Sequence, residues 1–79
     1  MDPMEIMREL LGYPYVGPSC REVIKVIQEV QANILDKTSA IAKLTEIKDK
    51  VKGKEINTPE HQKFNTALDQ LVVKIPTMA

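Results

Sequence analysis

Cys20 and His61 are the only residues of their kinds in the chain, and they are the first candidates for a nucleophile and a general base. A thiol at a helix N-terminus has a lowered pKa, and the thiolate is its reactive form. Cys20 stands in "GPSCREV", where a helix is expected to begin. It also falls on the apolar row of that helix, so it reads as a small buried hydrophobe. His61 falls in the first turn of the last expected helix and reads as exposed. A pKa near neutrality does not by itself make an active site.

The carboxylates do not add a metal or glycosidase-like site. Glu22 and Glu29 lie one heptad apart, but no histidine or further acid joins them at a spacing such as Glu-x-x-His, and "PEH" is not that motif. "GYPYVGP" is glycine- and proline-rich without the Lys-Ser or Lys-Thr of a phosphate-binding loop. No enzyme, metal or cofactor is expected from these residues.

Two other groups carry more information. Tyr13 and Tyr15 are two of the three aromatics in the chain, and both sit with Val16 in one Gly/Pro-rich loop. Aromatics dominate interface energetics, so Tyr13, Tyr15 and Val16 are the candidate partner-binding residues. The competing reading makes them a lid on the open end of a bundle, with hydroxyls facing water. The second group is basic: Lys43, Lys48, Lys50, Lys52 and Lys54, in and before "KDKVKGKE". They are the candidate nucleic-acid contacts. Against that reading, lysine lacks the bidentate base readout of arginine, and no aromatic is interleaved for base stacking.

These side chains need elements to hold them, and the signals are helical throughout. Asp2-Pro3 is an N-cap followed by proline at the first helical position. A short helix follows over about 3–11, with Gly12 as its expected left-handed cap. Ser19 and Glu22 make a capping box. From Cys20 the apolar residues keep a seven-residue phase without Gly or Pro until Gly53, which predicts one long central helix over 20–52. Its coiled-coil-like seam would be Ile27, Ile34, Lys37, Ile41 and Leu44, with Lys37 fixing register or snorkelling to water. The alternative breaks this helix near 36–39, where Asp36, Thr38 and Ser39 can cap a new start. Thr58-Pro59 opens a last helix over 59–75, antiparallel to the segment before it.

The expected fold is thus all-α: a small helical bundle in a single domain, residues 1–79. A continuous helix would be about 50 Å long, far beyond a compact chain with a radius of gyration near 12 Å. That overhang predicts a homodimer. Net charge is zero, with three excess negative charges in residues 1–36 and three excess positive in 37–79. No apolar run reaches the roughly 18 residues a membrane helix needs. The acidic "MDPMEIMREL" does not read as a signal peptide, and a lone cysteine fits the cytoplasm. The expected function is a small, self-associating protein–protein interaction module: an adaptor, assembly subunit or inhibitor of a larger protein. The alternative is a small nucleic-acid-binding regulator using the lysine-rich end of the central helix.

Overall fold

The computed structural model describes residues 2–52 and 58–78. They form four α-helices: α1 (Pro3–Glu9), α2 (Gly17–Gln31), α3 (Lys37–Lys52) and α4 (Pro59–Lys74). Short 3-10 turns extend α1 over Leu10–Gly12 and α4 over Ile75–Thr77. Among the described residues there is no strand, and the architecture is a small all-α bundle of 33 × 23 × 18 Å.

The two proline-marked starts form as their chemistry dictates. The Asp2 carboxylate accepts the Met4 N–H at 3.0 Å, and Pro3 costs nothing because the first helical N–H has no intrahelical partner. The Thr58 hydroxyl accepts the His61 N–H at 3.2 Å, with Pro59 next in line. The expected Gly53 cap and the 53–57 linker lie outside the described residues.

The start of α2 differs from expectation. It begins at Gly17, two residues before Ser19, and its cap is Val16, which makes no side-chain capping bond. Pro18 sits inside the first turn, where its missing N–H is again harmless. The glycines differ as well. Gly12 has no positive φ and is not a left-handed cap. Gly17 also lacks a positive φ; what it supplies is room, since a Cβ there would lie 2.5 Å from the Leu11 carbonyl oxygen.

The long central helix over 20–52 is not formed; α2 and α3 are separate helices joined by residues 32–36. Asn33 causes the stop. Its φ is 59°, the one positive φ outside glycine among the described residues. The Asn33 N–H donates to the Val30 carbonyl and the Ile34 N–H to that of Glu29, which is the Schellman ending of a helix. Asp36 then restarts the chain: its carboxylate accepts the Ser39 N–H at 3.0 Å. Hydrogen bonds from Ser39 hold that carboxyl below its ordinary range. The break therefore falls just before the 36–39 alternative, with Asp36 as its last residue.

The expected seam dissolves with the helix. Ile27 and Leu44 are buried within the chain's own core, Ile41 is half-buried against it, Ile34 is 73% exposed, and Lys37 is exposed. With a radius of gyration of 11.7 Å, nothing overhangs, and the overhang that implied a homodimer is gone.

Packing closes a single core. α1 lies against α2 and α4, α2 against α3, and α3 against α4 and its terminal turn. Met7, Ile27, Leu44, Phe64, Leu68 and Ile75 are fully enclosed. The Lys37 ammonium donates to the Pro76 carbonyl at 3.4 Å and to that of Met78, while Lys48 pairs with Asp69 at 2.6 Å. The start of α3 thus meets the end of α4, so the two run antiparallel. A cation beside the end of α4 also suits the helix dipole.

Lys37 is now the first helical residue of α3, a position that accepts proline. Lys37→Pro is expected to leave thermal stability close to wild type. Inside a continuous helix the same change would cost about 3 kcal/mol or more, so unfolding of this one variant separates the two arrangements.

Candidate functional site

The Tyr13–Val16 loop links α1 to α2 and is pinned at both ends. The Tyr13 N–H donates to the Leu10 carbonyl at 3.1 Å, and the Tyr13 carbonyl accepts the Gly17 N–H at 2.8 Å. Two prolines, Pro14 and Pro18, restrict φ on either side of Tyr15. The loop sits over a tight contact between Gly17 and Leu11, so its base cannot slide without a backbone shift.

The three expected contact residues divide here. Tyr15 is 61% exposed and Tyr13 44%. Val16 is only 2% exposed and belongs to the core, so it is not a surface residue as expected; it anchors the loop that displays its neighbours. Tyr15 is too open to act as the lid of the competing reading, whereas Tyr13 keeps more than half of its surface covered.

Two clefts adjoin the tyrosines. One, of about 270 Å³, is lined by Tyr13, Pro14, Tyr15, Val16, Thr58 and Glu60. The other, of about 330 Å³, is lined by Glu9, Leu10, Tyr13, Pro59, Glu60 and Lys63. Glu60 and Tyr13 are common to both. The capping chemistry of Thr58-Pro59 fixes the start of α4, and this places Glu60 beside the loop. Leu11, partly exposed, adds apolar surface nearby.

Glu9, Thr58, Pro59 and Glu60 were not site candidates from the sequence. Their individual signals are those of a helix surface and a helix start. Glu9 stands one turn before Tyr13 in the chain, whereas only the folding of α4 back onto α1 brings Thr58, Pro59 and Glu60 to it.

The candidates for catalysis lie elsewhere. Cys20 is fully enclosed, and burial pushes its thiol up to about 11, opposite to the effect expected of a helix N-terminus. His61 is not exposed as expected but 8% accessible, and among the described residues neither its Nε2 nor the buried Oδ1 of Asn65, one turn later, has a hydrogen-bond partner. Among the described residues no three metal-ligating side chains come together.

Because the folded chain retains the Cys20 proton above the ordinary pKa near 9, the native state binds more protons than the unfolded chain between there and about 11. The stabilisation tied to the neutral thiol is complete below that window and is lost as pH rises through it. Urea unfolding at about pH 8 and about pH 10.5 should therefore show a larger alkaline loss for wild type than for Cys20→Ala. Equal losses would mean that the thiol is not sealed.

The lysines are dispersed among acids. Lys48 is paired with Asp69. Lys43 and Lys50 share a groove between α2 and α3 with Glu22, Lys25, Glu29 and Glu46, over Val26 and Ile47. Lys54 and the side chain of Lys52 lie outside the described residues. Lys43, Lys48 and Lys50 thus stand beside carboxylates and form no unopposed basic face among the described residues. Among the described residues no helix is long and apolar enough to cross a membrane.

Comparison with protein-family models, with curated proteins and with solved structures finds no match.

Proposed function

We propose that this chain is a small protein–protein recognition module whose contact surface is the Tyr13–Tyr15 loop with the start of α4. It would work in the cytoplasm as an adaptor, assembly subunit or inhibitor of a larger protein. One observation carries the reading. The bundle buries Phe64 and most of its aliphatic side chains in one core, with Ile34 and Val73 exposed elsewhere, and it gathers Leu11, Tyr13 and Tyr15 as exposed side chains around one pinned loop beside two clefts. A rigid loop loses little entropy when it binds, so exposed rings held this way suit recognition. The reading is one of binding rather than catalysis, since Cys20 is sealed and His61 turns away from solvent.

The test uses the whole chain immobilised against a displayed library of random peptides and protein fragments. Binders should lose roughly 30-fold in affinity, the value of one hot spot, on Tyr15→Ala. They should be indifferent to Lys43→Gln and Lys50→Gln. Binders that ignore both tyrosines and depend on the α2–α3 groove would move the contact surface there and overturn the proposal.

A further inference from the structure

Resting on that reading, we infer that the tyrosine surface takes an extended, proline-rich peptide carrying one basic residue. The chemistry of the surface selects this occupant over a strand-adding or a helical peptide. Strand addition requires an open sheet edge, and the described residues are helical and offer none. A bound helix lays an apolar stripe into a continuous hydrophobic groove, and here the lining is interrupted by Glu9, Glu60 and Lys63. A polyproline II segment is already extended before binding, so it loses little entropy on docking.

The details of the site fit that segment. Its rings need flat apolar faces, and Tyr13, Pro14 and Tyr15 supply them along the walls of one cleft. Its carbonyls make no internal hydrogen bonds and remain free to accept. Tyrosine hydroxyls are donors on an otherwise apolar ring, so the two tyrosines can serve both needs. Tyr13 lines both hollows, which gives consecutive turns of the peptide two neighbouring places to sit.

Charge sets the flanking residue. Glu60 is the one ionised side chain lining the first cleft. In the second, Glu9 and Glu60 outnumber Lys63. A lysine or arginine next to the prolines would meet Glu60, whereas an acidic residue there would be repelled.

The experiment is an amide NMR titration of the full chain with three capped peptides: octaproline, octaproline ended by arginine, and a Gly-Ser peptide ended by arginine. Shifts are expected at the amides of Tyr13, Tyr15 and Glu60 with both proline peptides. The arginine form should bind about 3- to 10-fold tighter, a difference that salt reduces. Glu60→Gln should narrow that difference, whereas Lys43→Gln, in the α2–α3 groove, should leave it unchanged. Tyr15→Ala, with its fold checked by circular dichroism, should weaken both. Shifts missing at millimolar peptide, or equal with the Gly-Ser peptide, would overturn the inference. If the displayed library instead returns tyrosine-dependent binders without prolines, the recognition surface stands and the polyproline assignment fails.

Discussion

Leu44→Ala is expected to destabilise the chain by about 2–5 kcal/mol, because the side chain is fully enclosed and its loss leaves a cavity. Ile34→Ser, one position of the same expected seam, should change stability by no more than about 0.5 kcal/mol. The contrast is physical. Leu44 faces the chain's own core from α3, while Ile34 stands in the loop between α2 and α3 with most of its surface in water. In a coiled-coil seam both changes would weaken association. Melting would then depend on protein concentration, as it does wherever folding is linked to assembly. Chemical denaturation of both variants at two concentrations reads the difference directly. For wild type and Ile34→Ser the midpoints should coincide and stay fixed on dilution.

Gly17→Ala should cost about 1–3 kcal/mol, the usual effect of forcing an extra carbon into a packed contact. The obstacle is the Leu11 carbonyl at 2.5 Å, a backbone atom that cannot rotate aside, so α1 and α2 must separate at their junction. Gly12→Ala is the matched control. A Cβ there meets nothing within 4 Å, and its φ is not in the left-handed region. That change should stabilise by about 0.4–1 kcal/mol through the unfolded chain. Since 1 kcal/mol moves the melting temperature of a domain this size by about 4–8 °C, the two variants should melt on opposite sides of wild type. Had the loop needed glycine for its dihedrals, both would be destabilised.

The helical class, the Asp2-Pro3 and Thr58-Pro59 starts and the apolar face of α4 were legible in the sequence because each rests on neighbouring residues. Phe64, Leu68, Leu71 and Ile75 are spaced for a helix and are buried as that spacing implies. The expected long central helix fails for an equally local reason. Heptad phase records where apolar residues fall, not whether the backbone between them is helical. Asn33 held the missing signal, since asparagine is the residue that most readily follows glycine into the left-handed cap. Five residues, 32–36, happen to restore the phase after the break, so periodicity alone could not reveal it. His61 illustrates the other limit. A polar residue in a first turn is usually exposed, and only tertiary packing enclosed it. The same limit applies to the site: Tyr13 and Tyr15 could be picked out by their rarity, but Glu60 becomes their neighbour through a non-local contact between α4 and α1.

The tyrosines are either displayed by the bundle or help to hold it together. Thermal and urea unfolding of Tyr15→Ala, alone and with Tyr13→Ala, measures this without any partner. Tyr15→Ala should lie within about 0.5 kcal/mol of wild type, as surface substitutions do. The double variant should remain folded and cooperative, with a loss of no more than about 1 kcal/mol, since Tyr13 is half in solvent. A loss of about 3 kcal/mol or more on removing Tyr15 alone, the cost of truncating a buried aromatic, would make the loop part of the core and contradict its role as a recognition surface.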